Sequence, residues 1–459
     1  MTRTLCAIAL LFGIVVSAQA QGLYYKEIQK ETVIYIFNVA ANAERFEKTG
    51  EMPASAITMK DAGRNGETLI GDNERALQLY FFQNKMSVAV PEKTPPAVVW
   101  RDGKLRLTTE NAYLEVSNRV QVRYTHEFPD GNTQLPGTVG PGDSRGSFRI
   151  RRAKFKLEGW MLRPWLTFET QLNYPAVTGS NPGALLEDAA FDIDFTKGRG
   201  LFRAHVGQFK PPYGAQEMTS SGNQQFVDRA LSSNNYFRGR ETGIALWGAT
   251  TNNKLEWRVG MFNGNGLTRT VNDNDKFQYN ARLLIQPNGS QALNQRAWVT
   301  GALYSESDFE STKAPIYAFA LNFERQNNFN ATAGNDLKWN AVSIDWIYKF
   351  KGFSTNGMYT LQKRTAESGA ESDSQGGFVQ AGYLFGGRRY EIAARYGMHD
   401  PTDATPDNDV KETRVAFSYY YARHGLKWQT DFGATETGAG PLAPTVKAKE
   451  VRSQLQFVF

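Results

Sequence analysis

Apolar and polar residues alternate along the chain in many short runs between about residue 112 and residue 459. Over 414–419, for example, Val415, Phe417 and Tyr419 each follow a charged or small residue. A period of two is that of a β-strand whose two faces meet different surroundings. We count 16 such runs, at roughly 112–127, 147–160, 164–174, 187–196, 201–209, 240–249, 254–263, 277–287, 296–304, 338–350, 353–363, 376–386, 388–397, 410–421, 425–434 and 448–459.

The connections between these runs are short and long in turn, which is the order of periplasmic turns and extracellular loops in bacterial outer-membrane barrels. A further alternating stretch, 314–325, would make 17 strands and break that order, so we place it inside a long extracellular loop. An even count puts both ends of the barrel on the periplasmic side. The pattern therefore predicts an all-β fold, a 16-stranded antiparallel transmembrane β-barrel.

The two ends of the chain agree with export to the outer membrane. Arg3, the apolar run 5–16 and the small residues Ala18 and Ala20 have the three parts of a secretory signal peptide at 1–20. The last run alternates and finishes in Phe459, an ending that is similar to the assembly signal of bacterial outer-membrane barrels. We expect this run to close the barrel.

Residues 21–98 differ in pattern from the barrel, which we place at 99–459. A continuous apolar strand at 32–37 and two helical stretches, 40–48 and 73–82, predict a small periplasmic α/β unit followed by a Pro-containing linker. Asn73 is a candidate N-cap of the second helix. The unit could bind peptidoglycan or a partner protein, or it could be a structural plug or tether.

The composition fits a barrel and excludes several other classes. Mean hydropathy is -0.48, yet aromatic residues make up 13% of the chain and Gly numbers 42, as expected where every second residue faces lipid. The formal net charge of +6 is too small to indicate nucleic acid. The only cysteine, Cys6, lies in the signal peptide and there are four His, so we expect no metal site and no cofactor.

Charged residues occupy the strand face that would point into the barrel. Charges that are buried without partners are costly, and a barrel of 16 strands is wide enough to hold a water-filled channel. We therefore expect these side chains to face water. The basic residues predicted to line the pore are Arg119, Arg123, Arg152, Lys154, Arg258, Arg282 and Arg395.

Four runs in a fixed order resemble the phosphate-selective porin O/P family. They are 151–153 in the second strand, 207–214 and 237–243 on either side of the third loop, and 259–264. The resemblance covers roughly residues 100–459. It implies a homotrimer of barrels in the outer-membrane lipid, with the third loop folded inward and basic side chains along an anion path.

By position, this resemblance assigns the pore constriction to Lys210, Arg229, Arg238 and Arg240. A guanidinium can hold a phosphate with two hydrogen bonds, whereas Lys acts as a point charge. The loop also contains a stretch, 224–231, for which we predict a short helix. The predicted function is passive diffusion of small hydrophilic solutes, with a preference for anions or phosphate as an open possibility.

Two other classes of function remain to be separated from a pore. A barrel hydrolase would need a nucleophile beside a base, and His126, His205, His399 and His424 lie in no sequence motif of that kind. A structural barrel or adhesin would use the long extracellular loops. Solute flux in reconstituted vesicles would distinguish a pore from both.

Overall fold

A computed structural model of the chain describes the following residues: 24–84, 86, 98–101, 103–109, 111–131, 133, 140–174, 185–236, 239–267, 271–272, 274–287, 302–310, 314–327, 337–366, 368–438, 440 and 445–459. The chain divides into two compact units, Met1–Pro95 and Pro96–Phe459. The predicted signal peptide at 1–20 lies outside the described residues.

The first unit is a four-stranded sheet with two helices. Strand order is β1-β2-β4-β3, and the central pair β2–β4 is parallel. The Asn73 side chain accepts a hydrogen bond from the Ala76 amide at 3.2 Å and so caps the second helix. The elements are β1 (Lys26–Lys30), β2 (Val33–Phe37), α1 (Ala40–Thr49), β3 (Ile57–Met59), β4 (Thr68–Gly71) and α2 (Glu74–Gln83).

The second unit is a closed antiparallel barrel, as predicted. Its elements begin with a small hairpin, β5 (Val98–Arg101) and β6 (Lys104–Thr109). The wall strands are β7 (Ala112–Pro129), β8 (Arg145–Met161), β9 (Leu166–Asn173), β10 (Leu186–Asp194), β11 (Arg203–Phe209), β12 (Glu241–Ala249), β13 (Leu255–Phe262), β14 (Gln278–Ile285), β15 (Ile316–Gln326), β16 (Leu337–Phe350), β17 (Phe353–Ala366), β18 (Glu371–Phe385), β19 (Tyr390–Asp400), β20 (Val410–Ala422), β21 (Leu426–Thr437) and β22 (Val446–Val458).

Sixteen strands close the wall because β22 pairs with β7. This pairing runs from Ala448 opposite Pro129 to Val458 opposite Arg119. The hairpin strand β6 pairs with the first residues of the same edge of β7, so it extends the sheet at that end without joining the closure. We call the end where β7 begins and β22 finishes the short-turn end, since most of the tight connections lie there.

One strand assignment from the sequence is wrong. The stretch 314–325, which we placed in an extracellular loop, supplies the wall strand β15, paired with β14 and β16. The predicted strand at 296–304 ends in a 3-10 turn at Ala302–Tyr304, and 296–301 lie outside the described residues. The total stays at 16 because one strand replaces the other. The error came from assuming a short connection at the short-turn end, where the chain in fact uses all of 286–315.

The outer face of the wall is apolar. Large side chains such as Phe191, Leu321, Ile344 and Leu361 are each more than half exposed on it. Their exposure is that expected of a surface covered by lipid hydrocarbon. Within the described ranges, no helix has the length and apolarity needed to cross a membrane.

Two segments lie inside the barrel. The first, described at 210–236 and 239–240, connects β11 to β12 and contains α3 (Ala215–Met218) and α4 (Leu231–Tyr236); we call these residues the inserted loop. The second, 302–310, belongs to the connection between β14 and β15; we call it the inserted turn. Their buried side chains, with the inward side chains of the wall, form the interior of this unit.

The predicted helix at 224–231 is wrong. Helix α4 begins only at Leu231, and the backbone of 224–230 lies against the wall, where its polar groups find partners on other elements. The amides of Gln225 and Val227 donate to side chains of Glu306 (2.8 Å) and Asp431 (3.1 Å). Strand β21 in turn donates to the Gln224 and Gln225 carbonyls. A helix would have withdrawn these groups from the wall.

Candidate functional site

The inserted loop crosses the lumen and covers the inner face of β17 to β21. The Gln225 side-chain amide donates to Ser354 on β17 (2.7 Å), and the Leu231 backbone amide donates to Glu412 on β20 (3.0 Å). The Tyr236 hydroxyl bonds Ser374 on β18 at 3.0 Å. The open space inside the barrel therefore lies on the other side of the loop, along β7 to β11.

Two adjoining cavities occupy that open side. A wide cavity of about 880 Å³ reaches the short-turn end, where Trp165 and Gly198 line it. A narrow cavity of about 140 Å³ lies between the inserted loop and β7 to β10. The two share Gln171, Lys210 and Arg240 among their lining residues, so they are parts of one path.

The narrow cavity is the most basic place on this path. One carboxylate, Glu187, lines it, and Gln171, Ser220 and Ser221 add neutral polar groups. The wall and the inserted loop both contribute bases. The seven basic side chains that line it are Arg119, Arg151, Arg152, Lys154, Lys210, Arg229 and Arg240.

Two β-bulges explain how so many charges reach one place. On β8, Arg152 pairs with Gln121 but Ile150 pairs with Val122, so Arg151 is an extra residue and its side chain turns inward beside that of Arg152. On β10, Glu187 is the extra residue of a second irregularity. A bulge redirects a side chain that strict alternation would send outward.

Carboxylates pair with most of these bases. Arg240 donates two hydrogen bonds to Asp188, at 3.0 and 2.9 Å, and Lys154 forms a buried ion pair with Glu187. Arg229 lies 3.0 Å from Glu217. Within the described part of the chain, these seven bases and Arg123 share four carboxylates, Glu187, Asp188, Glu217 and Asp228, which leaves four positive charges in excess.

Arg119 differs from the others because its described partners are hydroxyls. Its guanidinium donates to Ser220 at 2.7 Å and to Ser221 at 3.4 Å, both on the inserted loop. Two hydroxyls do not neutralise its charge. Arg119 is therefore a strong source of positive potential at the narrow point.

Asp228 connects the inserted loop to the basic strands. Its carboxylate accepts from Arg123 (2.9 Å), Arg152 (3.1 Å) and Arg151 (3.4 Å). Burial acts to raise the pKa of Asp228, but these guanidiniums outweigh burial and hold the pKa well below its usual value. The carboxylate stays ionised and fixes the loop against β7 and β8.

The structure brings most of the residues assigned to the constriction together. Lys210, Arg229 and Arg240 line the narrow cavity. The Lys210 amine also donates to carbonyls at the end of α3, among them that of Thr219 at 3.2 Å. Arg238 lies outside the described residues.

The residues predicted to line the pore fall into two groups. Arg119, Arg152 and Lys154 line the narrow cavity. The other four are at most 2% exposed and contact other elements. Arg123 forms an ion pair with Asp228, and Arg282 forms one with Asp345. Arg258 pairs with Glu256 and donates to the Tyr304 hydroxyl. The Arg395 guanidinium stacks on the Phe226 ring at 4.0 Å.

Sequence reasoning missed Arg151, Glu187 and Asp188. Strict alternation sends one residue of each adjacent pair outward, toward lipid. A charge there costs several kcal/mol at mid-membrane (about 2–4 kcal/mol for Arg). Two adjacent charges inside an alternating strand are therefore an indication of a bulge, and 151–152 and 187–188 both fit that rule.

Comparisons with known proteins agree with this architecture. A sequence profile described as phosphate-selective porin O and P matches residues 122–459. No curated protein sequence matches the chain.

Solved structures show the same fold at low identity. An anion-selective porin from Comamonas acidovorans is 12% identical, with a TM-score of 0.51, over 76% of this chain and 100% of that one. The outer membrane channel DcaP of Acinetobacter baumannii is 10% identical, with a TM-score of 0.50, over 77% and 99%.

Proposed function

Because this chain belongs to the phosphate-selective porin O and P family, we propose that it is an outer-membrane porin that prefers small anions and selects them at the narrow cavity. The observation that carries the proposal is the charge excess: seven bases, four paired carboxylates and a cavity of about 140 Å³ on the path. The protein wall has a lower dielectric constant than water and screens charges less. Such an excess of positive charge therefore raises the local concentration of anions.

The chemistry of the lining favours oxyanions among small anions. Arginine presents several donors in a planar fork that matches two oxygens of a phosphate or carboxylate. Arg119 also has Ser220 and Ser221 beside it, which can donate to a third oxygen. Inorganic phosphate is therefore the first solute to test.

The test is the potential at zero current across a planar bilayer that separates two KCl concentrations. We expect the sign of a chloride-selective pore. Phosphate added at constant ionic strength should lower the chloride current, because it occupies the same lining. A potential with the sign of a potassium-selective pore would overturn the proposal.

We propose further that the porin is a homotrimer whose contact lies on the β9 to β14 side. These strands have 7 to 9 residues, whereas β15 to β22 have 11 to 15. About 9–11 tilted residues are needed to span a bilayer. A wall too short for lipid is suited to contact with another copy.

Two matched positions test this side. Phe191 on β10 and Ile344 on β16 both point outward and are each 55% exposed. A fluorescent label on Phe191→Cys should be shielded from quencher-bearing lipids, while the same label on Ile344→Cys should be quenched. Equal quenching at the two positions would contradict the proposed contact.

We infer that the barrel has no hydrolytic function. A Ser–His contact joins Ser305 Oγ to His424 Nε2 at 3.2 Å. The Lys427 side chain lies 3.2 Å from His424 Nδ1, and a protonated amine donates there, which places the ring hydrogen on Nε2. A base protonated there cannot take the serine proton.

A further inference from the structure

The inserted turn, 302–310, enters the barrel from the short-turn end. Leu303, Tyr304 and Phe309 are each 3% exposed. Ser307 and Asp308 are fully buried. A connection at the mouth of a channel would normally be solvated, so its burial places this segment within the lumen.

The wall holds the inserted turn by its backbone and side chains. The Lys349 amine donates to the Ser307 carbonyl at 2.9 Å, and the Arg388 guanidinium donates to the Phe309 carbonyl at 2.8 Å. The Gly352 amide donates to Asp308 at 2.7 Å. Strand β16 and the two turns that follow β16 and β18 thus fix its position.

The inner end of the inserted turn holds the inserted loop. Glu306 accepts from the Gln216 side chain and from the Gln225 amide, both at 2.8 Å. Its own amide donates to the Asn223 carbonyl at 2.9 Å. Glu306 is 3% exposed, and a buried carboxylate needs such donors. Both of its oxygens are therefore used to fix the loop.

The two inserted segments together bound the open path. Tyr304 of the inserted turn lines the wide cavity, as do Ser220 and Asn223 of the inserted loop. Ser307, by contrast, contacts Glu391 and Tyr420 on the covered side of the barrel. One face of the turn borders the path and the other fills the rest of the lumen.

We propose that the inserted turn is a second constriction element, which sets the pore size from the periplasmic side. Glu306 is a positioning residue that holds the inserted loop, and Tyr304 is a size-determining residue of the wide cavity. This inference rests on the channel function and not on the preference for anions. Conductance and the size of the neutral solutes that pass test the inserted turn. The zero-current potential tests the ion preference separately.

Replacing 303–309 by a Gly-Ser segment of equal length tests the whole element. Single-channel conductance should rise about twofold or more, because the filled part of a 16-strand lumen is wide enough for water. Larger neutral sugars should also enter in liposome-swelling assays. Resistance to SDS before heating shows that the variant is folded. A folded variant with the conductance and sugar limit of the wild type would overturn the proposal.

Single substitutions test the proposal even if the Gly-Ser variant of 303–309 does not fold. Glu306→Ala removes two contacts of the inserted loop and should increase current fluctuations in the open channel. Glu310→Ala is its matched control, since Glu310 is 32% exposed and lies 3.8 Å from Lys349; its currents should match those of the wild type.

Tyr304→Ala tests the size of the path directly. The change should raise the sugar limit without added fluctuations, because the contacts of Glu306 remain. If Glu306→Ala and Tyr304→Ala both behave as the wild type, the inserted turn neither positions the loop nor limits the path, and the proposal fails.

Discussion

The zero-current potential in a salt gradient should lose most of its anion preference when Arg119, Arg151 and Arg152 are all replaced by Gln. The seven bases of the narrow cavity and Arg123 share four carboxylates, so the change reduces the excess of positive charges from four to one. Asp228 keeps its contact with Arg123 at 2.9 Å, and the inserted loop therefore stays attached. In the wild type the preference should weaken as salt rises, because the screening length falls to about 3 Å at 1 M.

A second triple variant controls for the overall loss of charge. Arg199, Lys254 and Lys351 are exposed residues of short turns, away from the narrow cavity. Their replacement by Gln removes the same number of charges and should leave the potential unchanged. The narrow cavity would be excluded as the selectivity site if the cavity variant folded normally and kept the potential of the wild type.

The barrel wall was predictable from the sequence because each strand meets lipid on one face and polar groups on the other. That environment forces a period of two wherever the wall is exposed to lipid. The pattern was ambiguous in β15, where Ala318 and Ala320 face inward opposite larger outward side chains. Connection length argues against this strand only if the preceding connection is a short turn, and here the described residues 302–310 of that connection fill part of the interior.

The residues at the narrow cavity were predictable only in part. Alternation indicates Arg119, Arg152 and Lys154, and the family resemblance assigns Lys210, Arg229 and Arg240; these six residues lie together there. Alternation does not indicate Arg151, because a bulge interrupts the period of two on β8.

Alternation also does not distinguish residues that line the open path from residues that anchor the segments inside the barrel. Arg282 and Arg395 face inward in the same way as Arg152, yet Arg282 pairs with Asp345, which accepts from the inserted loop, and Arg395 stacks on Phe226 of that loop. Inward orientation is fixed by the strand, but exposure to the path depends on where the inserted segments lie. The inserted loop and the inserted turn have no periodic pattern of apolar residues. Their positions depend on contacts with residues distant in sequence, which the pattern does not reveal.

Replacing Asp431 by Ala should destabilise the barrel more than removal of any exposed charge. Asp431 is fully buried on β21. It accepts two hydrogen bonds from Arg452, both at 2.8 Å, and one from Arg414 at 3.0 Å. It also accepts from the Val227 amide of the inserted loop at 3.1 Å. One carboxylate thus joins the last three strands of the wall to the segment that fills the lumen.

The expected loss is about 3–5 kcal/mol in the free energy of unfolding, because the change leaves buried guanidiniums without this partner. Urea denaturation in lipid vesicles measures it. Glu436→Ala is the control: Glu436 is 45% exposed and pairs with Lys447 at 3.0 Å, and an exposed pair contributes about 1 kcal/mol or less. If Asp431→Ala unfolded at the urea concentration of the wild type, the buried pairs of β20 to β22 would not be what holds the closing strands together.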